Sequence, residues 1–278
     1  MPNVSFEYFP PRTEEARGAL RETVETLSQF QPVFQSVTYG AGGSNRQGSL
    51  ETIEALTDTG KIAGHFTYTG STQDEIVVFA NDLWNAGVRN LVALRGDTRE
   101  EGDISPFEDT AEFVRTLRII KPFEIAVGCY PETHPQAQSS AADIANLKAK
   151  QDAGATLAIT QFFFDNSVFY AFVEEARAAG ITIPIVPGIL PIYNFERVKV
   201  MAKDCGTHIP DHVYQAFENQ VSCGSSELEV ASELLKAQVH DLACAGYEAI
   251  HIYTLNRAEL AFDAASAFIE AQRLREVA

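Results

Sequence analysis

A closed (β/α)8 barrel is the fold class this chain predicts, and three observations carry the prediction. Short apolar runs alternate with longer amphipathic stretches along the whole sequence. Helical crossovers of that kind are what parallel strands require. The run Leu91-Val92-Ala93-Leu94 is apolar at every position, as in a strand covered on both faces. Eight strand–helix units fit the 278 residues, and such a barrel uses about 250. An open doubly wound sheet is the runner-up. Against it, no Gly-x-Gly-x-x-Gly follows any strand. The glycine-rich stretch Gly40-Ala41-Gly42-Gly43 lacks both that spacing and the lysine of a phosphate loop.

The elements follow in order. Val4 to Phe9 is the first strand; Pro10 and Pro11 end it, and a helix runs from Thr13 to Ser28. Phe34 to Tyr39 is the second, followed by a helix ending near Thr59. Ala63 to Thr69 is the third, with Ser71 or Thr72 capping a helix to Ala86. Asn90 to Leu94 is the fourth, then a polar loop and a helix from Phe107 to Ile120. Ile125 to Tyr130, Leu157 to Phe164 and Ile183 to Leu190 are the fifth to seventh strands. Their helices are Ser140 to Ala153, Asn166 to Ala179 and Phe195 to Lys203. Extra helices occupy His208 to Gly246, with a Ser/Gly break at Ser222 to Ser226. Ala249 to Tyr253 is the eighth strand, and Arg257 to Leu274 is the last helix. One barrel is expected to take up residues 1–278.

Composition narrows the function classes. A hydrophobic content of 45% supports a large core. The net charge of −17 argues against a nucleic-acid partner, because there is no basic excess to neutralise phosphates. The N-terminus lacks the basic and apolar regions of a signal peptide, and no run approaches the roughly 18 apolar residues of a membrane span. Cys129, Cys205, Cys223 and Cys244 form no close pair, so reduced thiols in a cytoplasmic enzyme are expected. No metal site is expected, since His208, His212, His240 and His251 show no ligand spacing and read as structural or surface residues. Trp84 reads as core packing, and the apolar stripe Leu228, Ala231, Leu235, Val239 as a face against the barrel or another subunit.

Barrel enzymes build their active sites at the C-terminal strand ends. Here those ends are polar: Glu7, Thr38 and Tyr39, His65, Arg95-Gly96-Asp97, Tyr130 with Glu132 and His134, Gln161, and Tyr253 with Asn256 and Arg257. Glu7 lies within Phe6-Glu7-Tyr8-Phe9, and Gln161 precedes three phenylalanines. Desolvation among aromatics would raise the pKa of Glu7, which suits a proton donor. The competing reading pairs Glu7 with an arginine inside the barrel.

Seven ordered stretches resemble the methylenetetrahydrofolate reductase family. They are Ser5-Phe-Glu-Tyr-Phe-Pro-Pro-Arg12, Ser36-Val-Thr-Tyr-Gly-Ala-Gly-Gly43, Ala93-Leu-Arg-Gly-Asp97, Tyr130-Pro-Glu-Thr-His134, Ile159-Thr-Gln-Phe-Phe-Phe-Asp165, Pro187-Gly-Ile-Leu-Pro191 and Tyr253-Thr-Leu-Asn-Arg257. They span nearly the whole chain, and the size resembles the short bacterial form. The resemblance implies a cytoplasmic FAD enzyme, expected to be a homo-oligomer. It would reduce 5,10-methylenetetrahydrofolate to 5-methyltetrahydrofolate with NAD(P)H, feeding methionine synthesis and one-carbon metabolism. By position, Glu7 matches the acid that opens the folate ring, and Asp97 a carboxylate near flavin and pterin. Thr38, His65, Arg95, Gly96, Asp97, Tyr130, His134, Asp143, Asn146 and Lys150 match flavin contacts. Gln161, Arg197, Tyr253 and Arg257 match the folate side, with Gln161 also meeting nicotinamide.

Three positions depart from the family pattern. Ala149-Lys150 stands where a basic pair is common, Asp109-Thr110 where Tyr-Ala is common, and Arg197 where a Gln folate contact can occur. The thinner phosphate set keeps open a family member that works without bound flavin. The second reading is a non-redox (β/α)8 enzyme, such as a tetrahydrofolate-dependent methyl carrier or methyltransferase, that keeps Glu7, Asp97 and Gln161 but uses no flavin. A module without catalysis fits poorly with so many polar strand ends.

Overall fold

The computed structural model describes residues 3–39, 46–96 and 105–277. Its strands are β1 (Asn3–Tyr8), β2 (Phe34–Val37), β3 (Ile62–Thr67), β4 (Asn90–Leu94), β5 (Glu124–Cys129), β6 (Leu157–Thr160), β7 (Ile185–Val186), β8 (Gly188–Ile189) and β9 (Ala249–Tyr253). The helices are α1 (Glu14–Ser28), α2 (Arg46–Leu56), α3 (Gln73–Asn85), α4 (Thr110–Ile120), α5 (Ser140–Asp152), α6 (Asn166–Ala178), α7 (Phe195–Cys205), α8 (Asp211–Cys223), α9 (Glu227–Cys244) and α10 (Glu259–Val277).

The strands pair in the order β7-β6-β5-β4-β3-β2-β1-β9-β8, and every pair is parallel. The predicted seventh strand is thus two short pieces. Pro187 divides them, having no N–H for the ladder. β7 pairs with β6 and β8 with β9, while the Pro187 carbonyl accepts from His251 N at 2.9 Å. The sheet therefore closes on itself almost completely, giving the (β/α)8 barrel with extra helices before the last strand.

Alternation along the strands separates two cores. Val4, Phe6 and Tyr8 of β1 and Phe66 of β3 belong to the main apolar core with the helices. Phe66 meets Phe79 of α3 and Phe113 of α4 edge-on, with ring centroids 5.0 and 5.2 Å apart. A second cluster of Ala63, Val92, Ala126 and Ile159, flanked by Phe34, Leu94 and Leu157, comes from the opposite faces of the strands, the barrel interior. Barrel interiors are usually filled by branched apolar residues throughout. Here the interior positions of β1, β2, β3 and β9 also include Ser5, Glu7, Ser36, His65, Thr67 and His251, all buried.

Helix boundaries follow local chemistry. Thr72, not Ser71, caps α3 in a capping box with Glu75. α4 starts at Thr110 rather than Phe107, because the Asp109 carboxylate accepts from Glu112 N and fixes the start. The expected Ser/Gly break separates α8 from α9, which Ser226 caps in a second capping box. α9 packs against α8 and α10 of its own barrel. Trp84 is partly buried against Phe123, with the Arg89 guanidinium 3.8 Å from its ring centroid.

Candidate active site

Two features meet at the C-terminal strand ends. The first is an ionic cluster in the polar quarter of the lumen. Glu7 Oε2 lies 3.1 Å from His65 Nε2 and 3.6 Å from His251 Nε2. No arginine pairs with it among the described residues. Burial pushes the Glu7 carboxyl up, but the two imidazoles, His65 foremost, more than reverse that and bring it down to about 2. This is opposite to the direction expected from the aromatic sequence context. Phe6 and Tyr8 point outward to the helices, whereas the groups facing Glu7 inside come from distant strands.

The second feature is a pocket of about 490 Å³ that spans four strand ends and reaches α4 and α5. Arg95, Gly96, Tyr130, His134, Asp143, Asn146 and Lys150 all line it. The spacing of Asp143, Asn146 and Lys150 does place them on one usable face of α5. Thr38 and His65 are absent from the lining; both are buried, and His65 turns to Glu7. Thr67, two residues beyond His65 on the same face of β3, does line the pocket and joins it to the lumen. Asp97 falls outside the described residues.

The pocket carries two cations, Arg95 and Lys150, beside the carboxylates of Glu108, Asp109 and Asp143. Lys150 donates to the Gly128 carbonyl at 3.0 Å. Burial lowers its pKa, against the pull of Cys129, Asp143 and Asp109, so a phosphate nearby would favour its charged form. Arg95 Nη2 donates to Gln136, and Asp143 accepts from His134 N at 2.8 Å, which fixes the loop after β5. Gly96 has φ of 87°, and a Cβ there would come within 2.9 Å of Thr67 Cβ. Only glycine keeps that wall open. Thr67 Oγ1 is buried and without a hydrogen-bond partner, an acceptor-donor turned toward the same space.

The predicted substrate residues divide. Gln161 and Tyr253 sit together beside the lumen. Tyr253 donates to the Thr160 carbonyl at 2.6 Å, and its pKa is well raised by burial first and by Glu7 second. Gln161 Oε1 accepts from Phe162 N, and its Nε2 donates to Cys205 Sγ at 3.5 Å. Arg257 and Arg197 are exposed. The Arg257 guanidinium lies 4.0 Å from the Tyr193 ring centroid. Glu132, the carboxylate at the polar end of β5, is raised by burial and accepts from His208 N; its charged neighbours are His208 and Asp165, not the Glu7 cluster. A smaller cavity of about 260 Å³, lined by Leu190, Leu234 and Leu235, holds none of the predicted site residues.

Comparison of the sequence with known proteins points to one family. The profile of methylenetetrahydrofolate reductase covers residues 1–267. The 5,10-methylenetetrahydrofolate reductase of Escherichia coli (strain K12) is 41% identical over 262 residues, covering 94% of this chain and 88% of that protein. The chain belongs to the methylenetetrahydrofolate reductase family. It is accordingly an enzyme. The reductase of Buchnera aphidicola subsp. Acyrthosiphon pisum is 36% identical over 260 residues, 93% of this chain and 89% of that one. Methylenetetrahydrofolate reductase (NADH) 1 of Zea mays is 33% identical, and its match covers 91% of this chain and 46% of the maize protein. Among solved structures, a Clostridium thermocellum protein that binds two copies of 5-methyl-5,6,7,8-tetrahydrofolic acid superposes with a TM-score of 0.64. Its identity is 13%, with 100% of this chain and 96% of that one covered, which speaks to the shared barrel alone.

Within this family the departures acquire physical content. Asp109, in place of the common tyrosine, caps α4 and lines the pocket with Glu108 and Thr110. Arg197 is exposed in the first turn of α7, where its backbone N–H donates to the capping Asn194. Sequence reasoning placed Tyr39 among the strand ends, missed Thr67, Tyr68 and Ala137 in the pocket wall, and set His251 aside. His251 is 0% exposed and faces Glu7. The signal was available: His251 and Tyr253 are two apart on one strand, so they share a face.

Proposed function

We propose that this enzyme reduces 5,10-methylenetetrahydrofolate to 5-methyltetrahydrofolate with FAD as cofactor and NAD(P)H as reductant. The observation that carries the reading is the junction of pocket and lumen. Thr67 lines the pocket of about 490 Å³, and His65, on the same face of the same strand, touches the buried carboxylate of Glu7. A redox cofactor and a proton donor would then address one substrate from adjoining walls.

When bound, FAD supplies the two-electron exchange between nicotinamide and folate. Arg95 and Lys150 would hold its pyrophosphate, with Asp143 and Asn146 on the ribose side. Asp97 would stand near the flavin ring and pterin, where its charge disfavours an anionic ring and favours a cationic substrate. Gln161 would release Cys205 and turn its amide to the pterin. Tyr253 would pack beside the pterin, and Arg197 and Arg257 would meet the carboxylates of the folate tail at the rim. Glu7 would deliver a proton to the ring amine of the folate. The C–N bond then breaks with its electron pair on that nitrogen, leaving an iminium to be reduced. Because the resting Glu7 is a carboxylate, the proton must enter the cluster before this step.

The test is a visible absorbance spectrum of the purified protein followed by denaturation and product assay. A yellow protein that releases intact FAD and turns over methylenetetrahydrofolate is expected. A protein that is colourless, takes up no added flavin and still binds folate would replace this reading with a non-redox folate enzyme.

A further inference from the structure

His251 occupies a position for which folate reduction, as proposed above, assigns no task. It lies on β9 in register with Ser5 of β1. Its ring stacks on Phe34 of β2, with centroids 5.6 Å apart and planes at 17°, and meets Tyr253 edge-on at 5.3 Å. Its Nδ1 is 2.8 Å from Ser5 Oγ, which also reaches the Ile250 carbonyl at 3.3 Å. Its Nε2 faces Glu7 Oε2, the oxygen that His65 also approaches. The ring thus has a hydroxyl at one nitrogen, a carboxylate at the other and packing on its face.

That geometry fixes a direction for the proton. The groups facing His251 are Ser5 and Glu7 from β1, Phe34 from β2, His65 beside Glu7 from β3, and Tyr253 on its own strand. Cys129, Tyr130 and Cys205 lie beyond Tyr253. The Tyr253 hydroxyl is engaged with the Thr160 carbonyl and holds its proton too tightly to share it. Glu7 prefers the carboxylate form, so it does not store a proton at rest. Only the two imidazoles remain. His65 stands next to the pocket wall, whereas His251 is sealed inside the barrel behind Glu7.

We infer that His251 is the proton store behind Glu7, a positioning residue that acts on the folate only through that carboxylate. The inference rests on the folate reading of the site. In the charged ring, Nδ1–H donates to Ser5 Oγ, whose own hydrogen goes to the Ile250 carbonyl. Nε2–H, 3.6 Å from Glu7 Oε2 at rest, closes on that oxygen and passes its proton to it, and Glu7 then gives that same proton to the substrate amine. The imidazole is left neutral with its hydrogen on Nδ1, Glu7 is again a carboxylate, and the amine has gained the one proton transferred. Ser5 stabilises the charged ring by accepting from Nδ1, so it sets how readily the store fills.

The test measures the folate and nicotinamide half-reactions separately by stopped flow across pH, for the full chain with its flavin, in wild type, His251→Gln and Ser5→Ala. General acid catalysis is typically worth about 10²–10⁴-fold. His251→Gln should therefore slow the folate step at least about tenfold and flatten its alkaline limb, with the nicotinamide step as reference. Ser5→Ala should move that limb to lower pH. An unchanged pH profile in both variants overturns the inference. Because a buried substitution can impair folding, the wild type supplies a second measurement by long-range ¹H–¹⁵N histidine spectra between about pH 5 and 8. An imidazolium whose resonances respond to Ser5→Ala, and which titrates with the kinetic limb, supports the inference. A His251 neutral throughout overturns it. If wild type fails to reduce methylenetetrahydrofolate at all, the functional reading falls, and the spectra still decide whether His251 holds the proton.

Discussion

Glu7 shows how one residue's chemistry is set by neighbours far away in the chain. Its carboxylate is stabilised by His65 and His251, each more than fifty positions distant. Glu7→Gln keeps size and an amide but supplies no acidic proton. The folate half-reaction should fall by about 10²–10⁴-fold, while reduction of bound flavin by nicotinamide changes far less. Equal loss in both steps, measured by stopped flow, would make Glu7 an organiser of the site. The same residue should leave a mark on acid stability. Its carboxyl is depressed from 4.5 to about 2 in the folded protein. The stability it contributes is therefore complete above pH 4.5 and is lost as pH falls toward about 2. That shift corresponds to about 3 kcal/mol. Thermal unfolding between those limits should show a steeper decline for wild type than for Glu7→Gln.

At the scale of elements, the seventh strand is both divided and closely packed. Pro187 breaks it, and Gly188 then passes so close to β6 that a Cβ would lie 2.2 Å from the Thr160 carbonyl oxygen and 2.7 Å from the Tyr253 ring. Gly188 N donates to Thr160 Oγ1 at 2.9 Å, and Tyr253 donates to the Thr160 carbonyl, so three elements lock at this point. Gly188→Ala should cost at least about 1–3 kcal/mol by overpacking, read as a lower urea midpoint, and should displace Tyr253. An unchanged midpoint would mean that β8 yields freely. At α4, Asp109→Ala removes the cap on Glu112 N. A loss of about 1 kcal/mol is expected, whereas Asp109→Asn should recover most of it because Asn also caps well.

The whole molecule is strongly acidic, with 38 Asp and Glu against 21 Lys and Arg. Its exposed ion pairs, within one helix as in Arg21–Glu25 and Lys148–Asp152 or between elements as in Arg17–Glu51 and Arg21–Asp58, contribute little each. Self-repulsion of the remaining surface charge opposes the compact state. Raising salt from about 0.01 to 0.15 M shortens the screening length from about 30 to 8 Å. The melting temperature should rise over that range and then level off. A fall would show that attractive pairs outweigh the net repulsion. Among the described residues no helix is long and apolar enough to cross a membrane.

The sequence by itself determined the barrel, because apolar runs and crossover helices have different periods that are visible locally. It also determined the pocket face of α5, since Asp143, Asn146 and Lys150 follow helical spacing, and most of the polar strand ends, since the β–α boundary is marked by a change from apolar to polar residues. The tertiary structure decided the rest. The direction of the Glu7 shift, the division of the seventh strand across Pro187, and the burial of His251 against Ser5 and Glu7 all depend on closure of the sheet. Closure brings β9 beside β1 across 245 and 246 positions of chain. Short-range periodicity tells which face of a strand a side chain occupies; it carries no information about which distant strand supplies the charge opposite.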